Sequence, residues 1–339
     1  MRIHRALIAL ALVVGCEAAQ EPPPVASVLV YQEDGDHEMV FTAGDMVSGE
    51  EWAESAILHA PEGATRIGLL VDLRDPVSLP TVTGRIEVRG FDAAGTPLLW
   101  QIADVTWSED RYLVARTDPG LTIYAAQLRV PATLVGDIAH VSFAAVVPEL
   151  GAGLGNEEAL GQQSGALTVA GLVTPRSAWG ARATKCTTKD KTKSKFAIHH
   201  TFTPPGSSGS IEARVRSIQA YHMDTRGWCD VGYHYLVGND GRIFEGRPLD
   251  LLGAHVSNNN SSNIGISYIG CFQTGECDSI GTMSPSQAAI DAGGKLMGAL
   301  KDQFGIGVAT SNVKGHMQHP GASTSCPGDR LLSRLPELI

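Results

Sequence analysis

Residues 315–329 read GHMQHPGASTSCPGD, and far upstream residues 196–201 read FAIHHT. The first stretch gathers His316, His319 and Cys326 into one loop. The second is a strand-like run ending in the paired histidines His199 and His200. Imidazole plus thiolate is a donor set that zinc favours, and three protein ligands leave a fourth position open. The pattern points to a catalytic Zn2+ site of His199, His316 and Cys326. The plainer alternative makes His316 and His319 loop histidines and Cys326 half of a disulfide, because no compact CxxC pair is present.

Outward from these runs, the second half alternates helix and strand signals. Residues 196–199 form a strand. Ile211, Val215, Ile218 and His222 recur at helical spacing over 211–224, with Ser210 as N-cap. A strand over 231–237, a turn at Asn239-Asp240-Gly241 and a return strand over 242–245 make a hairpin. Residues 264–270 are a further apolar strand. Ser284-Pro285-Ser286-Gln287 reads as a capping box that starts a helix carrying Leu296, Met297, Leu300 and Phe304, with Gly305 ending it. A last short helix starts near Gly328. The expectation is an α/β domain over 172–339, a mixed central sheet flanked by helices.

The first half differs. Between residues 25 and 148, candidate strands lie at 28–31, 85–89, 98–102, 112–115, 122–130 and 139–147. Turn signals such as Asp118-Pro119-Gly120 separate them, so a mostly-β, sandwich-like domain is expected. His59 and His140 stand isolated there and read as structural or exposed. Residues 149–171, rich in Gly, Ala, Gln and Glu, read as a linker, with a possible helical turn over 157–163.

The chain has 339 residues, which suggests about two domains. Its formal net charge is −10, which argues against nucleic acid as the main partner. Seven of the eleven histidines follow residue 170. At the N-terminus, Arg2, His4 and Arg5 precede an apolar run over 6–14 that is too short to span a bilayer and fits a signal peptide over 1–15. Val13-Val14-Gly15-Cys16 resembles a bacterial lipobox. That resemblance implies lipidation at Cys16, a polar tether over 16–24, export, and a lipid anchor in the cell envelope. An ordinary secretory signal is the alternative. With Cys16 on lipid and Cys326 on metal, Cys186, Cys229, Cys271 and Cys277 remain for disulfides, in three possible pairings. Cys271 and Cys277 flank a short Gly-containing turn and can close a local loop, which leaves Cys186 for Cys229.

Several ordered runs together resemble one family, the zinc amidases that cut N-acetylmuramoyl-L-alanine bonds, which include the animal peptidoglycan recognition proteins. The runs are Arg176-Ser177-Ala178-Trp179-Gly180-Ala181, Ile198-His199-His200-Thr201, Gly227-Trp228-Cys229-Asp230-Val231-Gly232-Tyr233, Glu245-Gly246-Arg247, Gly253-Ala254-His255, Asn263-Ile264-Gly265-Ile266-Ser267, Lys314-Gly315-His316 and Cys326-Pro327-Gly328-Asp329. They cover about residues 174–338. The resemblance implies zinc ligation by His199, His316 and Cys326, and a catalytic role for Tyr233 with Thr324 assisting. It implies muramyl-peptide contacts from His200, His222, His255 and Asn260. It also matches the Cys186–Cys229 pair to a family disulfide, and Gly227-Trp228 to members that prefer meso-diaminopimelate muropeptides. The gap from His316 to Cys326 is two residues longer than in the animal proteins, which puts the placement of Thr324 in question and leaves His319 as a rival ligand.

The implied function is zinc-dependent hydrolysis of the bond between N-acetylmuramic acid and L-alanine in peptidoglycan. Two other classes remain at this level. A peptidoglycan-binding protein without activity needs no metal, and Cys326 speaks against it. A zinc peptidase acting in the stem peptide is disfavoured by the lack of an HExxH helix.

Overall fold

The computed structural model describes residues 29–33, 36–148, 171–204, 209–280, 283–307, 309 and 311–339. The signal segment, Cys16, the tether and residues 149–170 of the expected linker lie outside the described residues.

The first half is rich in sheet. One sheet has the order Leu29–Glu33, Asp36–Thr42, Ile138–Val146, Arg66–Leu73, Tyr112–Thr117, Asp104–Glu109. A second runs Val47–Ser48, Trp52–Glu54, Ile123–Pro131, Glu87–Phe91, Gln101–Ile102, with Leu58–Ala64 also paired to Ile123–Pro131. Both contribute to one apolar cluster, including Phe41, Leu69, Val71, Leu113 and Phe143 from the first and Leu58, Val88, Ile123, Leu128 and Val130 from the second.

Arg66–Leu73 is buried at all eight positions. Ile67, Leu69, Val71 and Leu73 face the shared core, whereas Leu70 packs on Ala220 and Tyr221 of the second half. A strand covered on both faces shows no polar alternation, so the sequence pattern missed it. Also missed were Asp36–Thr42, Asp104–Glu109 and Leu58–Ala64, the last carrying Pro61 and Gly63. The strand expected over 98–102 shortens to Gln101–Ile102.

The second half has a mixed six-stranded sheet, in the order Val173–Thr174, Ile243–Glu245, Tyr235–Val237, Asn263–Tyr268, Lys195–His200, Val313–Gly315. Only the Tyr235–Val237 and Ile243–Glu245 pair is antiparallel. The helix Gln287–Phe304 covers one face, placing Ile290, Leu296, Met297 and Leu300 against Phe196, Ile198, Tyr235, Ile264 and Ile266. The helix Ile211–Ala220 covers the other, with Val215 and Ile218 against Trp179, Val231, Leu236 and Phe244.

Ser210 caps the second of these helices, its hydroxyl accepting from Ala213 N–H. The turn of that helix continues as a π-type segment, Tyr221–Thr225. Gln287–Phe304 is capped by Ser286, accepting from Ala289 N–H, and not by Ser284. Gly305 ends it at φ 66°. Cys186 pairs with Cys229 and Cys271 with Cys277, so the Gly-containing turn does close a local loop. Among the described residues, no helix is long and apolar enough to cross a membrane.

Candidate metal centre and groove

His199 lies one residue from the end of the strand Lys195–His200, and His316 follows the neighbouring edge strand Val313–Gly315. These two strands are parallel, so both histidines leave the sheet at the same end, where ligand sites of α/β sheets form. Cys326 arrives from the loop beyond, with its N–H bound to Thr324 Oγ1 at 3.1 Å and its carbonyl accepting from Met317 N–H.

His199, His316 and Cys326 are buried, and one donor atom of each lies within 4.8 Å of the others. His199 Nδ1 stands 3.6 Å from Cys326 Sγ. A tetrahedral zinc with Zn–N about 2.05 Å and Zn–S about 2.3 Å requires an N···S separation of about 3.6 Å. The donor types and the His199–Cys326 separation therefore fit that metal, with His316 within 4.8 Å. The two disulfides among the described residues are both made without Cys326, which speaks against the alternative that it is half of one. His319 lies outside this donor group, although it is 6% exposed. Burial, then His316, Lys195 and Lys314, lowers its pKa to about 4.

A hydrogen-bonded chain stands behind His199. Its Nε2 lies 3.1 Å from His255 Nδ1, and His255 Nε2 lies 3.3 Å from the Asn263 carbonyl. A carbonyl only accepts, so His255 Nε2 carries the proton and its Nδ1 accepts from His199 Nε2–H. His199 Nδ1 is then the lone pair facing Cys326. The His255 ring sits in a slot made by two glycines: a Cβ at Gly253 or at Gly265 would come within 2.5 Å of His255 Cδ2. Next to it, His234 accepts from Gly265 N–H at Nδ1 and binds the Leu251 carbonyl through Nε2. Desolvation by burial is the largest cause holding His199, His234 and His255 well below the usual imidazole pKa, with neighbouring histidines and cations adding to it. Neutral rings are what ligation and this chain both require.

Tyr233 packs beside the centre, its ring centroid 5.1 Å from that of His199 and 5.6 Å from that of His222. The expected strand over 231–237 is a strand only from Tyr235. Tyr235 lies in the core with Ile243 and Ile266, and the irregular backbone before it lets Tyr233 turn to the site. His222 lies on the π-type segment, where its Nδ1 accepts from Gly232 N–H at 3.1 Å and its ring stands 4.7 Å from Trp228. Gly227 takes φ 74°, the left-handed region that glycine enters freely. Both Gly227 and Trp228 are partly exposed.

Three expected contact residues are placed differently. Side chains alternate along a strand, so His200 points opposite to His199; its Nδ1 accepts from Phe272 N–H and its ring meets Phe202. His255 is 2% exposed and faces His199 from behind. Asn260 Oδ1 accepts from His255 N–H and Val256 N–H, both at 2.8 Å, fixing the turn before it. Arg226, which directly precedes Gly227, is buried and paired with Glu38 at 2.8 Å. His234 was not singled out from the sequence, where its place one residue after Tyr233 was the available signal.

Comparison with known proteins bears on this half of the chain. The N-acetylmuramoyl-L-alanine amidase family profile matches residues 190–329. Peptidoglycan-recognition protein SC2 of Drosophila simulans is 37% identical over 170 residues, which is 48% of this chain and 84% of that protein. An N-acetylmuramoyl-L-alanine amidase of Sus scrofa is 36% identical over 166 residues, 48% of this chain and 26% of that protein. The solved structure of wild-type Drosophila PGRP-LB shares 30% identity over 48% of this chain and 91% of its own, with a TM-score of 0.42.

Proposed function

Because the chain belongs, through its C-terminal half, to the family of peptidoglycan-recognition proteins and N-acetylmuramoyl-L-alanine amidases, we propose that it is a zinc-dependent N-acetylmuramoyl-L-alanine amidase. The observation that carries this reading is the buried His199, His316 and Cys326 donor set, its His199–Cys326 pair at zinc-like spacing, with Tyr233 beside it. His199, His316 and Cys326 would hold the zinc, which would supply an acidified water and Lewis acidity towards the scissile carbonyl. His255 and the Asn263 carbonyl keep the His199 Nδ1 lone pair available. The Tyr233 hydroxyl donates to the oxyanion that develops as the lactyl carbonyl is attacked. Thr324, held next to Cys326, assists in delivering a proton to the departing L-alanine nitrogen.

The stem peptide would lie along His222, Gly227 and Trp228. Diaminopimelate differs from lysine by one carboxylate, and a site built to donate to it rejects the ligand that lacks it. The open backbone at Gly227 and the Trp228 indole Nε1–H supply such donors, so the preferred substrates are diaminopimelate-type muropeptides. Export and a lipid anchor at Cys16 would put the enzyme where peptidoglycan is. The two N-terminal sheets, sharing one core, fit a sandwich domain over 25–148 ahead of an amidase domain over 172–339.

The test is mass spectrometry of muropeptides after incubation of peptidoglycan with the purified protein, with and without a chelator. Release of intact stem peptides bearing a free L-alanine amine, abolished by the chelator, is expected. Cleavage inside the stem would mean a peptidase. Binding without any cleavage would mean a recognition protein.

A further inference from the structure

The face of the second half that lies against the N-terminal sheets is the outer side of the segment 211–228, which ends in Gly227 and Trp228. The complementarity there is consistent in sign. Asp72, Glu109 and Glu38 from the first half meet Arg214, Arg216 and Arg226 from the second. The Asp72–Arg214 pair is 5% and 2% exposed, and Arg214 also stacks on Tyr112 at 4.2 Å. Arg66 and Arg116 each donate to the Asp224 carbonyl at 3.1 Å. That carbonyl belongs to the π-type segment, so the first half supplies partners to backbone near the C-terminal end of this helical run.

The fit is steric as well. Gly68 in the buried strand faces Thr225, and a Cβ at Gly68 would fall 1.8 Å from Thr225 Cγ2. Leu70, Val114, Ala144 and Val146 pack on Ala220 and Tyr221. Nearer the metal centre, Val40 packs with Phe202, the Cys271–Cys277 disulfide and Ile280. The consequences reach the groove through a short path. Glu38 binds Arg226; Arg226 directly precedes Gly227, and its guanidinium lies 5.3 Å from the Trp228 ring centroid. The Trp228 backbone N–H then closes on the His222 carbonyl at 3.0 Å.

We infer that the N-terminal β domain is a positioning part of the peptidoglycan groove: it clamps the 221–228 segment, and Glu38 acts through Arg226 to hold Gly227 and Trp228 in their ligand-facing conformation. Glu38 is a positioning residue and touches no substrate. This rests on the reading of Gly227 and Trp228 as stem-peptide contacts.

The experiment measures binding of a soluble diaminopimelate muropeptide to the full chain by calorimetry, with kcat, KM and zinc content determined in parallel. The variants are Glu38→Gln, Glu38→Asp, Gly68→Ala and, as an off-interface control, the exposed Glu50→Gln. Couplings of this kind change affinity by about 2- to 30-fold. Glu38→Gln and Gly68→Ala are expected to raise Kd and KM within that range, while kcat per zinc stays within about two-fold of the parent. Glu38→Asp should recover part of the affinity, and Glu50→Gln should match the parent. A merely structural role would lower the melting temperature and the active fraction without changing Kd of the folded protein. Parent-like Kd in both Glu38→Gln and Gly68→Ala overturns the inference. A parent protein that binds no muropeptide overturns the functional reading itself, and the inference with it.

Discussion

Removing the imidazole of His255 should weaken zinc binding without unfolding the domain. In His255→Ala the His199 Nε2–H loses its acceptor in a site where His199 is 0% exposed. A buried donor left unsatisfied costs about 1–3 kcal/mol. The metal-free protein can escape that cost by moving the His199 proton to Nδ1, the atom that faces Cys326. Zinc binding then has to reverse the tautomer and restore the unsatisfied donor, so the penalty falls on the metal-loaded state. Loss of such an outer partner typically lowers metal affinity about 10- to 100-fold, which is about 1.4–2.7 kcal/mol and agrees with the first figure. His255→Gln keeps an acceptor oxygen within reach and should lose less. The assay is competition for zinc against a chelator of known affinity at pH 7.5, with a thermal melt of each metal-free variant to establish folding. A folded His255→Ala variant that binds zinc within about three-fold of the parent would refute the tautomer argument.

Four further outcomes are expected. Cys326→Ser should lose most zinc and activity while both disulfides hold the fold; full activity in the mutant or in metal-stripped protein would exclude the zinc mechanism. Tyr233→Phe should keep its zinc and lose about 10²–10³ in kcat, about 2.7–4 kcal/mol of transition-state stabilisation, checked by steady-state kinetics beside metal analysis. Stability should fall on acidification. Burial lowers the His140 pKa from 6.5 to about 4 against the opposing pull of Asp72, so the unfolded chain binds the extra proton between these values. The cost is absent above pH 6.5, grows as pH falls and levels off below about 4, reaching on the order of 3 kcal/mol. His234, buried neutral, adds in the same direction; denaturant midpoints that do not drop between pH 7.5 and 5 would contradict this. Finally, Cys16→Ser should release the protein from membranes, and a parent chain already soluble after export would rule out the anchor.

Much of the His199, His316 and Cys326 cluster was legible because its information is local. A strand ending in His199, an imidazole and a thiolate in one loop, and an even set of remaining cysteines are short-range patterns. Helix boundaries followed from Ser210 and Gly305 for the same reason, whereas the choice between Ser284 and Ser286 as cap turned on a hydroxyl contact that either serine could have made on paper. What the tertiary structure decided were matters of facing. Period-two alternation separates His199 from His200, but only the parallel pairing with Val313–Gly315 shows which of them meets Cys326. Gly253 and Gly265 leave the slot for the His255 ring, but only the folded sheet sets that ring behind His199. The partner of Arg226 is Glu38, 188 positions away, which only the fold brings against it. The Arg66–Leu73 strand hid from the pattern because its second face is covered by a different half of the chain. Sequence periodicity reports whether a face is buried, not what buries it, and long-range partners are set by packing that no local window contains.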